Sequence, residues 1–207
     1  PLRKAQLRTI AENCRRVPEF PPIHFWDALQ SVWFIQVMIQ IESNGFAIAL
    51  GRFDQYMYPF YKRDIESGKL SQQEAQELLE CLFIKLNQFA DVNETAPGVY
   101  LNNDNLRNIA LAGQTPDGRD ACNELTYMCL EASAKLMLPE PKLNVRFFPG
   151  SPRRLLRECC RVLAKGANVL AIFNDEVAVP ALLRLGIPLA DARDYCNDGC
   201  SELIMGG

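Results

Sequence analysis

The sequence has 207 residues, with 22 Lys and Arg against 25 Asp and Glu and a formal net charge of −3. Because there is no excess of positive charge, the composition argues against nucleic-acid binding driven by electrostatics. With 48% hydrophobic and 23% charged residues, the chain is typical of a globular protein with a sizeable core. Disorder, collagen and coiled coil are excluded.

No stretch reaches the roughly 20 apolar residues that a membrane span needs. The most apolar region, residues 23–48, is interrupted by polar and charged side chains. The first residues are basic but are not followed by the apolar segment of a signal peptide. We therefore expect a cytoplasmic protein with no membrane partner.

Eight cysteines are many for such a chain, but none forms a Cys-x-x-Cys pair, and His24 is the only histidine. This pattern predicts neither a disulfide framework nor a metal site. Six of the cysteines fall in segments with helical spacing, and we expect most of them to be small buried hydrophobic residues. They are Cys14, Cys81, Cys122, Cys129, Cys159 and Cys160.

Helical signals dominate the chain. The apolar spacing over residues 25–39 predicts a buried helix. A capping-box pattern at 71–74 starts a helix predicted over residues 72–89. A third helix is predicted over 120–138, where two prolines forbid extension, and a fourth runs from Ser151 as N-cap to Gly166.

Short apolar runs between these helices predict strands. Asn174 then caps a further helix, and a last short helix is predicted over 190–196, followed by a turn at 197–199. The alternation of strand and helix favours a helix-rich α/β fold with parallel strands. The sequence contains no recognisable linker, so we expect residues 1–207 to form a single unit. Residues 205–207 follow without a closing helix or strand, which we interpret as the end of a truncated chain. The predicted strands are 108–111, 143–148 and 168–173.

The side chains best suited to catalysis lie in Gly199-Cys200-Ser201-Glu202. In an extended segment, positions i and i+2 point to the same side about 7 Å apart, so Cys200 and Glu202 could face one small molecule. A thiol can exchange a hydrogen atom or attack, and a carboxylate can move a proton. On spacing alone, a free thiol in a loop beside a solvated acid is the simpler interpretation. A redox or metal pair with Cys196 is a further alternative.

Several further blocks of the sequence are informative together with the cysteine loop at 199–202. They are residues 41–45, 51–56, 113–118, 123–127 and 172–195. In consistent order, these blocks resemble the glycyl radical enzymes, the pyruvate formate-lyase-like family. This resemblance implies part of a ten-stranded α/β barrel in which Cys200, on a loop at the centre of the barrel, becomes a thiyl radical. It therefore favours the catalytic interpretation of Cys200.

Family members are several times longer and store the radical on a glycine in a C-terminal Arg-Val-x-Gly-Tyr motif. The sequence has Arg161-Val162-Leu163-Ala164, in which alanine replaces the glycine within a predicted helix. We therefore expect that the C-terminal glycyl radical domain is absent from this chain and that the chain itself binds no cofactor. The resemblance implies that a separate radical-SAM activating enzyme with an iron–sulfur cluster installs the radical.

The cysteine loop narrows the reaction class. Pyruvate formate-lyase itself uses two adjacent cysteines, whereas Gly199 precedes Cys200 here, and Cys159-Cys160 lies outside the loop context. A Gly-Cys-x-Glu loop resembles the members that dehydrate, eliminate or decarboxylate. It implies radical C–X bond cleavage, namely dehydration, C–N or C–S elimination, or decarboxylation, with Glu202 as general base. The alternatives are a pyruvate formate-lyase-type acyltransferase and an inactive fragment or interaction module.

Phe46 is the remaining candidate, as a substrate-binding residue. Certain dehydratases carry a histidine near this position, so a phenylalanine favours a bulkier or less hydroxylated small-molecule substrate. A core phenylalanine is the alternative. The resemblance further implies a homodimer when the protein is complete.

Overall fold

The computed structural model describes residues 2–43, 47–88, 107–166 and 170–206. The described residues alternate strand and helix from Asn108 to Arg184, as predicted. In chain order the elements are α1 (Leu2–Arg16), α2 (Phe25–Ser43), α3 (Phe53–Tyr56), α4 (Tyr58–Glu66), α5 (Gln72–Leu86), β1 (Asn108–Ala112), α6 (Glu124–Leu136), β2 (Lys142–Phe147), α7 (Arg153–Ala164), β3 (Leu170–Asn174), α8 (Asp175–Arg184), α9 (Leu189–Arg193), β4 (Tyr195–Asp198) and β5 (Glu202–Met205).

Strands β1, β2 and β3 form one parallel sheet in that order. Ile109 pairs with Leu143 across the first junction, and Val145 pairs with Ile172 across the second. Parallel neighbours need a crossover connection, which helices α6 and α7 supply. The predicted helix-rich α/β class is confirmed. Residues 168 and 169 of the third predicted strand lie outside the described residues.

The two faces of this sheet differ in chemistry because successive side chains alternate between them. One face is aliphatic and belongs to the same buried cluster as the surrounding helices, through Ile109, Leu111, Leu143 and Val145. The other face is small or polar, with Asn108, Ala110, Asn144 and Arg146. Buried polar side chains need hydrogen-bond partners. The antiparallel hairpin of β4 and β5, which packs on β1 through β4, provides them.

Helix α5 begins as predicted. The Glu74 N–H donates to the Ser71 hydroxyl at 3.2 Å, and the Ser71 N–H donates to the Glu74 carboxylate at 2.9 Å. These reciprocal contacts satisfy backbone donors that the first turn leaves unpaired. The backbone contact from Ser71 lowers the pKa of Glu74.

Helix α2 departs from the prediction of a buried helix. Its buried residues are concentrated near its start, at 25 and 27–29, but four large apolar side chains further along are 44–75% exposed. The prediction of a buried helix is wrong for this later part, because an apolar helix is buried only where neighbours surround it and the described residues leave one side of this part exposed. The exposed residues are Phe34, Ile35, Met38 and Ile41.

The last predicted helix, 190–196, is wrong at its end. Helix α9 stops at Arg193, and Tyr195 and Cys196 begin strand β4. Both side chains are buried, and Tyr195 pairs with Met205 of β5. Cross-strand pairing and burial therefore override the local helical pattern.

Two helix starts also differ from the sequence prediction. Helix α6 begins at Glu124 because Asn123 caps it, accepting the N–H groups of Leu125 and Thr126. Helix α7 has Pro152 as N-cap, and the Ser151 hydroxyl accepts the Phe148 N–H at 3.0 Å instead of capping the helix. Gly166, with a φ of +83°, follows the end of α7 as predicted.

In the part of the chain that the structure describes, we find no helix with the length and apolar character needed to cross a membrane.

The capping box gives a stability prediction. Replacing Ser71 by alanine removes the acceptor for the Glu74 N–H, and we expect the free energy of unfolding to fall by about 1 kcal/mol. Gln73→Ala, at an exposed position of the same helix, is the matched control and should change stability by less than about 0.5 kcal/mol. Urea denaturation of both variants measures this difference, and equal midpoints would contradict it.

Candidate active site

Cys200 lies at the tip of the β4–β5 hairpin, in the turn between Asp198 and Glu202, which pair across the hairpin. Its side chain is exposed, and Glu202, the first residue of β5, is exposed as well. The expectation of an extended segment was wrong, because Cys200 belongs to a turn and strand alternation does not orient it. The hairpin nevertheless brings both residues to one loop.

The Glu202 carboxylate folds back over this turn. Its Oε2 accepts the Ser201 N–H at 3.0 Å. Backbone hydrogen bonding, from Ser201 first, lowers the pKa of Glu202, so the group is a carboxylate at neutral pH and can act only as an acceptor.

Gly199 is required by this geometry. Its φ is +52°, and a Cβ at this position would lie 2.6 Å from Oε2 of Glu202. Only glycine adopts such a conformation without strain. The sequence analysis used Gly199 only as the residue that replaces a second cysteine, and its conformational role was missed.

Two asparagines of the sheet hold the cysteine loop through hydrogen bonds, and the sequence analysis missed both. Nδ2 of Asn108 donates to the carbonyl of Gly199 at 2.7 Å, and Nδ2 of Asn144 donates to Oδ1 of Asn108 at 2.9 Å. Both are buried on the polar face of the sheet. The available signal was an asparagine in each of two buried strands, where an amide is costly unless it is paired.

A buried charge network anchors the other end of the hairpin. Arg146 binds Asp175 in a bidentate ion pair, with N–O distances of 3.0 and 2.9 Å. The same guanidinium lies 3.8 Å from the ring centroid of Tyr195 and donates to the Tyr195 and Arg193 carbonyls. The Tyr195 hydroxyl donates to Asp175 at 2.9 Å. These contacts dock β4 at the carboxyl end of β2.

A second arginine reinforces this anchor. Arg52 is buried and pairs with Asp194 at 2.6 Å, immediately before β4. Its guanidinium also donates to the carbonyls of Gln114 and Ala112. Strand β4 therefore runs antiparallel to β1 and β2, from the carboxyl end of the sheet to the Gly199–Asn108 contact at its amino end.

The cysteines differ sharply in environment. Cys196 is buried, and burial raises the pKa of its thiol, whereas Cys200 is exposed. The expectation that most of the other six are buried was wrong: Cys129 and Cys159 are, but Cys14, Cys81 and Cys160 lie on exposed helix surfaces. An isolated helical pattern does not say which face another element will cover.

Phe46 lies outside the described residues. His24 lies directly before α2, where its Nδ1 is 2.8 Å from the Asp64 carboxylate and far along the chain from the cysteine loop. Among residues 2–43, 47–88, 107–166 and 170–206, no three His, Cys, Asp or Glu side chains form a group able to hold a metal ion.

The sequence profile of the family described as pyruvate formate lyase-like matches residues 1–207. The chain belongs to this family, that of the glycyl radical enzymes. It is 38% identical to isethionate sulfite-lyase of Desulfovibrio desulfuricans over 99% of its own length and 25% of that relative. The chain thus spans about a quarter of the length of the curated relatives it matches.

Solved structures support the same family assignment. A glycyl radical enzyme from Archaeoglobus fulgidus superposes with a TM-score of 0.92 at 36% identity, over 99% of this chain and 26% of that one. A structure describing 1,2-propanediol dehydration in Roseburia inulinivorans has a TM-score of 0.92 at 42% identity, over 100% of this chain and 26% of that one. Other relatives are named as dehydratases and as a decarboxylase subunit.

The charge network gives a second stability prediction. Asp175→Ala leaves the Arg146 charge buried and unpaired, and we expect a loss of about 3–5 kcal/mol in the free energy of unfolding. The double variant Arg146→Met with Asp175→Leu removes both charges and should lose clearly less. Denaturant unfolding of the three proteins measures this difference. A double variant as unstable as the single one would show that the charge itself is not the cause.

Proposed function

We propose that this chain is the catalytic-thiol portion of a glycyl radical enzyme that cleaves a C–X bond by dehydration, C–N or C–S elimination, or decarboxylation. The observation that carries the proposal is the turn at 199–202, which places an exposed thiol and an ionised carboxylate on one hairpin tip. The names of the relatives, isethionate sulfite-lyase and several dehydratases, support this reaction class.

When present, the glycyl radical of the family would supply the unpaired electron, and Cys200 would be the residue that gives up its thiol hydrogen atom to it. The position of Cys200 is compatible with this role because the residue is exposed among the described residues. As a thiyl, Cys200 then takes a hydrogen atom from a substrate carbon that bears a hydroxyl group, which leaves a carbon radical and restores the S–H bond.

Glu202 performs the next step as base. It accepts the hydroxyl proton, so the substrate becomes a ketyl radical, which expels the group on the neighbouring carbon with its electron pair. The resulting radical, centred on the carbon next to the carbonyl, takes the hydrogen atom back from Cys200. The protonated Glu202 then gives its proton to the leaving group. The net change converts a substrate R–CHOH–CH₂X into R–CO–CH₃ and HX.

Two features of the loop support elimination over acyl transfer. Acyl transfer in pyruvate formate-lyase uses two neighbouring cysteines, whereas position 199 is a glycine whose φ of +52° a side chain disfavours. A carboxylate also has enough lone pairs to keep the Ser201 N–H on Oε2 and accept a substrate proton on Oε1.

We extend the proposal to the substrate and the partners that the family resemblance implies. The substrate is a small molecule, and Phe46 contributes to its pocket. A radical-SAM activating enzyme is the protein partner, and the complete protein is a cytoplasmic homodimer.

The first functional prediction concerns Cys200. In the complete, activated protein, Cys200→Ser should abolish turnover, because an alcohol O–H bond is too strong for the hydrogen exchange that a thiol supports. The glycyl radical signal in electron paramagnetic resonance should remain. Cys160→Ser, at an exposed cysteine on α7, is the matched control and should keep full turnover. Turnover by the Cys200→Ser variant would assign the chemistry to another residue.

The second concerns Glu202. Glu202→Gln keeps the size of the side chain and an oxygen for the Ser201 N–H but removes the proton acceptor. We expect kcat to fall about 10²–10⁴-fold with a much smaller change in KM. Glu77→Gln, at an exposed position of α5, should have no effect. Full activity of Glu202→Gln would reduce Glu202 to a residue that holds the loop.

The assay for both variants is a substrate panel. Diols, hydroxyproline, choline, isethionate and arylacetates represent elimination and decarboxylation, and pyruvate with coenzyme A represents acyl transfer. Formation of acetyl-CoA and formate at a substantial rate would overturn the proposed reaction class.

A further inference from the structure

Both peptide groups that flank Cys200 are held by side chains. The carbonyl of Gly199 accepts from Asn108 at 2.7 Å, and the N–H of Ser201 donates to Glu202 at 3.0 Å. A peptide group is planar, so fixing its carbonyl or its N–H fixes the whole plane, including the Cα of Cys200. Because a cysteine side chain has one rotatable χ angle, Sγ is left with few positions.

The hydrogen bond between Asn108 and Gly199 can form in only one orientation of the Asn108 amide. The Gly199 carbonyl can only accept, so the amide nitrogen of Asn108 must face it. Asn144 then donates to the remaining amide oxygen of Asn108 at 2.9 Å, which prevents the amide from rotating by half a turn. The order of donation is Asn144 to Asn108 to Gly199, and among the contacts of the described residues Asn144 reaches the loop through Asn108.

The two asparagines lie on strands of the parallel sheet. Asn108 is the first residue of β1, and Asn144 lies in β2, the central strand of the sheet. Both side chains are at most 4% exposed. Sites supported by strands hold their geometry better than sites supported by loops alone.

We propose that Asn108 and Asn144 are positioning residues that set the place of the Cys200 sulfur relative to the substrate carbon. The inference rests on the proposed function and adds two residues to it. Hydrogen transfer depends on the distance between the reacting atoms, and a displacement of about 1 Å can cost about 10²-fold in rate.

The test uses Asn108→Ala, Asn144→Ala and the double variant in the complete, activated protein. Asn108→Ala should lower kcat by about 10–100-fold, and Asn144→Ala by a smaller factor, because it leaves the contact to Gly199 in place. The double variant should equal Asn108→Ala, since Asn144 acts through Asn108. KM and the number of glycyl radical spins per protein should not change.

Asn123→Ala is the matched control. This substitution removes a half-buried asparagine that caps α6, so it lowers stability without touching the cysteine loop. The kcat of this variant should equal that of the wild type. Losses of Asn108→Ala and Asn144→Ala that multiply in the double variant would overturn the proposal. So would a loss of radical spins in step with kcat, which would assign the effect to folding or activation.

The outcomes also separate this inference from the proposed function. If Cys200→Ala keeps turnover, both fail. If Cys200→Ala is inactive while Asn108→Ala has wild-type kcat, only the positioning role fails. Should Asn108→Ala not fold, Asn144→Ala decides alone, and a wild-type kcat in that variant overturns the proposal.

Discussion

The buried ion pair between Arg146 and Asp175 is the interaction on which the site depends. Two charges without access to water are costly unless every donor and acceptor is satisfied. The planar guanidinium solves this by donating to Asp175 and to the carbonyls of Arg193 and Tyr195, and the Tyr195 hydroxyl completes the shell of Asp175. Since Arg146 lies in β2 and its partners lie in α8, at the end of α9 and at the start of β4, the charge pair brings the hairpin onto the sheet.

Glycines allow the close approaches that this arrangement needs. A Cβ on Gly113 would lie 2.8 Å from the Arg146 side chain, and one on Gly199 would lie 2.6 Å from Glu202. Both residues have positive φ angles, +75° and +52°, which side chains disfavour. The hairpin is therefore held at the carboxyl end of the sheet by Arg146 and at its amino end by Asn108, with the cysteine loop beyond.

The loop also shows how environment separates residues of one type. Cys196 and Cys200 are four positions apart, but the first is buried, which raises the pKa of its thiol, and the second is exposed. Glu202 has a backbone N–H on one oxygen, which lowers its pKa and keeps it ionised. One carboxylate can thus hold the turn and remain available as a base, because each of its oxygens accepts independently.

The sequence by itself determined the α/β class, the capping of α5, the positions of the three parallel strands within a few residues and the family. These features depend on local spacing and on short motifs such as Gly-Cys-x-Glu, which are visible without a structure. Only the tertiary structure decided that residues 195–198 form a strand, that Cys200 lies in a turn, and that Asn108, Asn144 and Arg146 support the loop. The reason is physical: these contacts join residues 29 to 91 positions apart, and no local pattern encodes which distant group will satisfy a buried polar side chain.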